Sequence, residues 1–243
     1  MNALQIKHEN DALFREGHFP EMRSEIFRDI PANPVQRETA FRVEAHILQT
    51  DTISAVLQFR DRRVCALNFA NANFPGGAYV LGGNAQEEAL CRASLLYYTI
   101  RTAHGFYRRN HLHVLPDYTD TMIYSRHVPV IRDNAGNRLE TPMNCDFLTS
   151  PAVNRTFAKF LMPQGRIDRI MAGRIEKIIR LAAMQSPEVL ILGAFGCGVF
   201  GNNREAVYPL FEQAINQYLP DDMEVIFADP RGARAGLSLP NDR

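Results

Sequence analysis

Residues 64–88 read VCALNFANANFPGGAYVLGGNAQEE and carry the strongest indication of the fold. The unbroken apolar run at 64–69 is typical of a strand that is buried on both faces of a sheet. A Gly-rich loop at 71–84 follows, and the residues after the loop repeat apolar side chains at helical spacing. Strand, Gly-rich loop and helix in this order predict an α/β unit with a ligand-binding loop at the end of a strand.

The same arrangement recurs toward the end of the chain. Residues 189–202, VLILGAFGCGVFGN, combine a second buried strand with a second Gly-rich loop, and a helix is expected to follow as far as Leu219. Helices are also predicted from Asp51 and over 86–103 and 166–184, and strands over 41–48 and 224–229. Alternating strands and helices predict an α/β fold with a mostly parallel central sheet flanked by helices.

The composition is that of one folded domain with balanced charge. The 243 residues include 27 Lys and Arg, 27 Asp and Glu and 46% hydrophobic residues, so a full core can form without disulfides or metal. Zero net charge argues against proteins that bind nucleic acid mainly through its phosphates, and no sequence-specific nucleic acid partner is expected. No apolar stretch approaches the ~20 residues of a membrane-spanning helix, and no secretory signal is readable. We therefore expect a cytoplasmic monomer with no membrane partner.

Two regions lack a clear pattern. Residues 1–40 are polar, contain three prolines and predict an N-terminal arm that packs on a domain formed by 41–243 and holds at most a short helix at 22–29. Residues 105–150 predict only short strands, at 122–125, 128–132 and 145–150. His111 and His113 share one face of a further possible strand but have no third ligand at a metal-binding spacing. The four cysteines are also far apart, so no metal site is predicted.

The second Gly-rich loop has the composition of an anion site. Its glycines let successive backbone N–H groups turn toward one point, and the positive end of the next helix adds to their effect. They are Gly193, Gly196, Gly198 and Gly201. Asn202, with Glu205 three residues later, resembles the capping box of such a helix. The loop also fits the G-x-G-x-x-G pattern of dinucleotide-binding proteins, with Asp229 as the ribose-binding acid, but too few residues follow it to complete that domain. A phosphate or diphosphate site is favoured.

Three polar residues, Gln86, Glu87 and Glu88, begin the helix after the first loop. Two acidic residues in a first turn are commonly explained by the helix dipole, which would leave them exposed and without a chemical role. Their position after a Gly-rich loop, at the same sheet edge as the second loop, favours a functional role. Because consecutive helical residues project about 100° apart, the two carboxylates must have different tasks. One reaches into the cleft and the other holds a ligand hydroxyl or the loop.

These motifs together resemble one family. LNFANANFPGG is similar to the N-x-A-N…GG signature of macrodomains, and QEE after a seven-residue spacer at 79–85 resembles the bacterial-type poly(ADP-ribose) glycohydrolases. The GAFGCGVFGN loop is similar to the diphosphate loop of that family, and the resemblance covers about residues 45–230. It implies a three-layer α/β/α macrodomain-like fold that binds ADP-ribose at the carboxyl edge of the sheet, with no cofactor and no metal.

The resemblance also implies roles for individual residues. Glu88 is the general acid that protonates the leaving group at the anomeric carbon, and Glu87 helps to hold the ribose and the loop. The other implied contacts are Asn71, Gly76, Gly77, Ala78, Gln86 and Phe200 near the ribose, backbone groups of Gly196, Cys197, Gly198 and Val199 at the diphosphate, and Asp51 and Phe227 at the adenine. Phe227 fits a core strand position equally well, and Asp51 fits a helix cap.

Ala78 departs from the family, which usually has three consecutive glycines at 76–78. If this position needs a positive φ or a bare Cα, alanine costs roughly 1 kcal/mol or shifts the loop. The expected activity is release of ADP-ribose from poly- or mono-ADP-ribosylated protein. Two alternatives stay open: a mono-ADP-ribosyl hydrolase, for example of arginine-linked ADP-ribose, with little polymer activity, and an ADP-ribose reader with no catalytic role.

Overall fold

A seven-stranded mixed sheet lies at the centre of the structure, a computed structural model that describes residues 2–33 and 45–232. Its strands are β1 (Arg23–Phe27), β2 (Ala45–Leu48), β3 (Val64–Phe69), β4 (Met122–Arg132), β5 (Arg138–Ser150), β6 (Val189–Leu192) and β7 (Glu224–Ala228). They lie in the order β1-β4-β5-β3-β6-β7-β2. The pairings from β5 to β2 are parallel, whereas β4 is antiparallel to both β1 and β5. The predicted mostly parallel sheet is confirmed.

Helices cover both faces of this sheet. They are α1 (Ala3–Glu16), α2 (Thr52–Gln58), α3 (Gln86–Ala93), α4 (Leu96–Ile100), α5 (His104–Leu112), α6 (Arg155–Ala158), α7 (Gln164–Gln185) and α8 (Arg204–Tyr218). Along β3, Cys65 and Leu67 pack with α7 and α8, while Val64 and Ala66 face the side covered by α2 to α5. Because successive side chains of a strand point to opposite faces of the sheet, both faces are covered by helices, which gives three α/β/α layers. In the described part of the chain, no helix has both the length and the apolar character of a membrane span.

The helix predicted over 86–103 is interrupted at Ser94. This residue is extended (φ −138°, ψ 175°) and forms an isolated antiparallel bridge with Val130 of β4. The N–H of the next residue, Leu95, donates to the carbonyl of Pro129 over 3.0 Å. The prediction of one continuous helix is wrong, because pairing with a distant strand replaces the helical hydrogen bonds at this point.

The N-terminal residues contribute a helix and an edge strand. The side chain of Asn2 caps α1 by accepting from the N–H of Gln5 over 2.9 Å. β1 pairs antiparallel with β4, so the short helix expected at 22–29 is wrong. The predicted boundary between 1–40 and 41–243 lies outside the described residues and stays a prediction.

The hairpin of β4 and β5 replaces the short strands predicted within 105–150. The two strands expected at 122–125 and 128–132 are both parts of β4, whose register with β5 shifts between Ser125 and Val128. Such a bulge bends a strand and interrupts its alternation of buried and exposed residues. The predicted division is therefore wrong, although these residues do lie in a strand.

Two local predictions also change. His111 lies in the last turn of α5, so the strand face predicted for His111 and His113 is wrong. The residue that caps α8 is Asn203, whose side chain accepts from the N–H of Glu205 over 2.9 Å. The capping role predicted for Asn202 is wrong because this side chain is used inside the preceding loop.

Candidate active site

A cavity of about 430 Å³ opens at the carboxyl ends of β3 and β6. Both Gly-rich loops and the start of α3 form its wall, so the two loops that the sequence singles out meet in space. The lining residues are Phe69, Ala70, Asn71, Ala85, Gln86, Glu87, Glu88, Ala152, Ala194, Gly196, Cys197, Gly198, Val199, Phe200, Arg204 and Arg231. Parallel strands place their carboxyl ends at one edge of a sheet, which explains why segments far apart in sequence meet here.

Glu87 is a buried carboxyl group that holds the loop after β3. Its Oε2 accepts from the N–H of Asn71 over 2.7 Å, and its Oε1 accepts from Nδ2 of Asn68 over 3.2 Å. Burial raises the pKa of Glu87 to about 8, although these hydrogen bonds lower it. Glu87 is therefore mostly protonated at neutral pH. Oδ1 of Asn68 is buried and has no partner among the described residues, and turning this amide would place that oxygen against the Glu87 proton.

Glu88 has one anchored oxygen and one oxygen without a partner. Oε1 accepts from the N–H of Ala78 over 2.8 Å, which ties the carboxylate to the first Gly-rich loop. Oε2 is buried and makes no hydrogen bond with any residue that the structure describes, although the side chain lines the cavity. A carboxyl group that is fixed at one oxygen and unpaired at the other is suited to exchange a proton with a bound ligand.

The two glycines of the first loop make room for these carboxylates. Gly77 has a φ of +56°, and a Cβ there would lie 2.5 Å from Oε1 of Glu88 and 3.3 Å from Oε2 of Glu87. Gly76 also has a positive φ, +68°. Neither glycine lines the cavity, so both act by letting the loop wrap closely around Glu87 and Glu88.

Ala78 occupies an ordinary backbone conformation. Its φ is −92° and its ψ is 20°, a negative-φ conformation that residues with a Cβ adopt in turns. A Cβ at Gly83 would lie 2.7 Å from the Cβ of Ala78, so the absence of a side chain at Gly83 leaves the space that the alanine methyl group needs. The positive φ considered for Ala78 is therefore wrong, whereas the effect of its methyl group beside the ribose stays a prediction.

The second loop carries backbone N–H groups that are not used within the protein. Among the described residues, the N–H groups of Gly198, Val199 and Phe200 donate to no backbone or side-chain acceptor, and all three residues line the cavity. Consecutive N–H groups of this kind form an anion-binding concavity. The N–H of Cys197, by contrast, donates to the carbonyl of Ala194 over 3.0 Å and is not available, contrary to its predicted role.

Asn202 fixes the shape of this loop. Its Nδ2 donates to the carbonyl of Val153 over 2.8 Å and to that of Gly196 over 3.1 Å. Gly196 has a φ of +70°, and a Cβ there would lie 2.5 Å from the Cβ of Ala152. Glycine is therefore required at this point by both conformation and space.

Two arginines in the cavity wall are absent from the sequence-based site. The guanidinium of Arg204, at the start of α8, donates to Oδ1 of the buried Asp229. The N–H of Arg231 donates to the same oxygen over 3.0 Å. Both arginines line the cavity and supply local positive charge in a chain of zero net charge. Arg204 directly follows the second Gly-rich loop and Arg231 follows β7, and these positions in the sequence could have identified both arginines as site residues.

The two residues predicted to contact adenine have other tasks. Asp51 caps α2 by accepting from the N–H of Ser54 over 2.9 Å and from its hydroxyl over 2.6 Å. Phe227 is fully buried, with the rings of Tyr208 and Phe211 centred 5.1 Å and 5.8 Å from its own. Phe227 has no exposed surface, so its predicted adenine contact is wrong and its interpretation as a core residue is confirmed. The interpretation of Asp51 as a cap is confirmed, and its contact with adenine stays a prediction.

Gln86 lines the cavity but uses its amide within the protein. Oε1 accepts from the N–H of Phe69 over 2.9 Å, and Nε2 donates to the carbonyl of Leu67 over 2.8 Å and to Oγ1 of Thr52 over 3.2 Å. These bonds hold the start of α3 against the end of β3. The side chain thus positions the adjacent glutamates, which differs from the predicted substrate contact.

Asn71 and Phe200 line the cavity, and their contact with the ribose stays a prediction. Oδ1 of Asn71 closes a turn by accepting from the N–H groups of Asn73 over 2.9 Å and Phe74 over 3.0 Å. The ring of Phe200 is centred 6.0 Å from that of Tyr118. Both residues therefore also contact a second part of the surface, which lies next to the cavity.

Neither a thiol nor a histidine forms a second reactive centre. Burial raises the pKa of the Cys197 thiol to about 11, so the thiol stays protonated at neutral pH and the packing role is favoured. His113 pairs with Asp117 over 2.5 Å. Across residues 2–33 and 45–232, no three His, Cys, Asp or Glu side chains are grouped as metal ligands.

Comparison with known proteins leads to the same family. The family described as microbial-type PARG, catalytic domain, matches residues 5–133. The poly(ADP-ribose) glycohydrolase (PARG) of Thermomonospora curvata is 29% identical, with a TM-score of 0.82 over 96% of this chain and 94% of that chain. Its structure with the inhibitor ADP-HPD is also 29% identical, with a TM-score of 0.80 over 96% and 95%. The Deinococcus radiodurans PARG in complex with ADP-ribose has 29% identity and a TM-score of 0.72 over 94% and 86%. No curated protein matches the sequence.

Proposed function

The chain belongs to the microbial-type PARG catalytic-domain family, and we propose that it releases ADP-ribose from poly(ADP-ribose) with Glu88 as the general acid. Similarity to glycohydrolases that bind ADP-ribose or ADP-HPD supports the activity. One observation carries the role of Glu88: Oε1 is held by the N–H of Ala78 and Oε2 has no partner among the described residues.

In the proposed reaction, Oε2 of Glu88 transfers a proton to the oxygen that links the terminal ribose to the next unit of the polymer. The bond between that oxygen and the anomeric carbon breaks, and positive charge develops on the ribose. The diphosphate of the same ADP-ribose unit lies nearby and stabilises this charge. Water then bonds to the anomeric carbon and returns a proton to the Glu88 carboxylate, which yields free ADP-ribose.

The second loop is the proposed diphosphate site. The unused N–H groups at 198–200 and the N-terminus of α8 attract the anion, and Arg204 and Arg231 add positive charge in the same wall. A protonated Glu87 avoids placing a second negative charge beside the diphosphate. Asn71 and Phe200 then position the terminal ribose next to Glu88.

Polymer is the preferred substrate over a single protein-linked ADP-ribose. One argument for a mono-ADP-ribosyl hydrolase was a positive φ at Ala78, and the φ of −92° removes that argument. Binding of ADP-ribose without cleavage would not require a carboxyl oxygen in the cavity wall that lacks a hydrogen-bond partner.

The experiment that tests this function compares substrates. Wild-type protein is incubated with protein-free poly(ADP-ribose) and with Glu-, Ser- and Arg-linked mono-ADP-ribosyl peptides, and released ADP-ribose is quantified. We expect rapid release from the polymer and little or none from the peptides. Release from a peptide alone would support a mono-ADP-ribosyl hydrolase, and binding of ADP-ribose without release from any substrate would support a reader.

We further propose that the protein works as a monomer in the cytoplasm, without a sequence-specific nucleic acid partner. The four cysteines are free thiols, as expected in the cytoplasm, and the net charge is zero. The division into an N-terminal arm at 1–40 and a catalytic domain at 41–243 belongs to the same proposal. A concentration-independent mass of 27.5 kDa in solution would support the monomer.

A further inference from the structure

A second depression, here called the neighbouring groove, lies beside the cavity and has a volume of about 510 Å³. Its wall comes from the loop after β3, the end of α5 and the segment around α6. The residues that matter for its chemistry are Asn73, Phe74, His111, Tyr118, Asn154 and Phe157. None of them is used in the proposed cleavage step.

The groove and the cavity share their wall at two points. The turn closed by Asn71, which lines the cavity, fixes the backbone of Asn73 and Phe74, which line the groove. Phe200 lines the cavity, and its ring is centred 6.0 Å from that of Tyr118, which lines the groove. Both shared residues are the ones predicted to contact the terminal ribose. The groove therefore adjoins the ribose end of the cavity.

The chemistry of the groove fits a heterocyclic base better than an anion. Phe74 and Phe157 expose 60% and 62% of their surface, and the Phe74 ring packs edge-on against that of His111 with centroids 5.9 Å apart, so both phenylalanines present ring surface to the groove. No Lys, Arg, Asp or Glu occurs among the described residues that line it. Amide and imidazole groups supply the polar contacts, and Oδ1 of Asn154, a residue only 9% exposed, lacks a hydrogen-bond partner within the described chain. Aromatic faces beside amide and imidazole groups are typical of sites that stack and recognise bases.

We propose that the neighbouring groove binds the adenosine of the next ADP-ribose unit, the nucleoside that leaves when the terminal unit is cleaved. This inference rests on the proposed function. Poly(ADP-ribose) joins the terminal ribose to the ribose of the next adenosine, so the oxygen that Glu88 protonates carries that adenosine. With the diphosphate of the terminal unit at the second loop, the leaving nucleoside extends from the ribose end. The groove is the aromatic surface that adjoins this end.

The test uses one groove phenylalanine and a matched control. Phe157→Ala removes an exposed ring of the groove, whereas Phe160→Ala removes a ring that is 76% exposed, lies three residues further on and does not line the groove. For each variant we measure kcat/KM on protein-free polymer, the Kd of ADP-ribose by calorimetry, and the melting temperature. ADP-ribose fills only the cavity, so its affinity reports on that site alone.

We expect Phe157→Ala to lower kcat/KM on polymer by about tenfold, mainly through KM, because stacking of one base on an aromatic ring typically contributes this much. The Kd of ADP-ribose stays within about twofold of wild type, and Phe160→Ala leaves both quantities unchanged. The same loss is expected for Phe74→Ala, which provides an independent variant.

Unchanged polymer cleavage by both groove variants, or an equal loss in Phe160→Ala, would overturn the proposal. So would a loss seen only with ADP-ribosylated protein and not with protein-free polymer, since the groove would then bind the target polypeptide. Wild-type protein that releases nothing from polymer would instead contradict the proposed function. The experiment therefore distinguishes an error in the groove proposal from an error in the proposed function.

Discussion

The backbone N–H of Ala78 donates a hydrogen bond of 2.8 Å to Oε1 of Glu88 and so connects the first Gly-rich loop to the start of α3. The opposite wall of the cavity also relies on backbone groups, the unused N–H groups at 198–200. Backbone donors add nothing to the net charge, so the proposed diphosphate site is compatible with a chain of zero net charge. Arg204 and Arg231 make this wall locally positive.

Gly77→Ala should reduce polymer cleavage by up to about 100-fold, because small displacements of a catalytic group have effects of this size. The new Cβ would lie 2.5 Å from Oε1 of Glu88, and a φ of +56° costs alanine about 1–2 kcal/mol. Steady-state rates and melting temperature measure the two effects. Gly173→Ala in α7 is the matched control, since a Cβ there meets nothing within 4 Å and alanine stabilises a helix by up to about 1 kcal/mol. Equal rates for Gly77→Ala and wild type would contradict the packing described for Glu88.

Ala78 and Gly83 should be energetically coupled. Gly83→Ala alone is expected to destabilise the protein by about 1–3 kcal/mol, because its Cβ would lie 2.7 Å from the Cβ of Ala78. Ala78→Gly removes that methyl group, so the double variant should recover a coupling energy of about 1 kcal/mol in urea unfolding. Additive effects of the two substitutions would mean that the alanine methyl group does not occupy the space beside Gly83.

Much of the fold could be predicted because its signals are local. β3 and β6 are short apolar runs followed by glycines, and α7 repeats its apolar residues with a helical period. The break at Ser94 could not be predicted, since it depends on a backbone pairing with β4 that no local pattern encodes. The helix α1 was missed because its stripe toward the core, Ile6, Leu13 and Phe14, is interrupted by the polar Asn10.

The site was predictable where backbone conformation requires glycine and less so elsewhere. Alternation along β7 indicates that successive side chains face opposite ways, but not which face meets the ligand, and Phe227 proved to be in the core. Asp51 and Gln86 are residue types that can equally well cap a helix, hydrogen-bond to neighbouring backbone or contact a substrate. Arg204 and Arg231 join the cavity through the tertiary arrangement of α8 and β7, for which the sequence offers only proximity to the loops.

Protonation of Glu87 should make stability depend on pH. Below pH 4.5 this carboxyl is protonated in both the folded and the unfolded chain, whereas between pH 4.5 and about 8 the unfolded chain ionises first and the folded chain keeps the proton. Stability contributed by this group is thus present at low pH and lost as the pH rises through this window, by at most about 1.4 kcal/mol per pH unit.

Glu87→Gln should remove that dependence. The glutamine carbonyl can accept from the N–H of Asn71, and its amide can donate to the unpaired Oδ1 of Asn68. Urea unfolding of both proteins from about pH 5 to about pH 7.5 measures the difference. Parallel pH profiles for the variant and the wild type would mean that Glu87 is ionised in the folded protein.

The most direct test of the account is the activity of Glu88→Gln. Its side-chain carbonyl can still accept from the N–H of Ala78, while the amide has no acidic proton to transfer to a leaving group. We predict that release of ADP-ribose from polymer falls by roughly 100- to 10,000-fold while the Kd of ADP-ribose changes by less than about threefold. The exposed Glu140 provides a control, since Glu140→Gln should match wild type in both measurements. Hydrolysis at the wild-type rate by Glu88→Gln would contradict the assignment of Glu88 as the general acid.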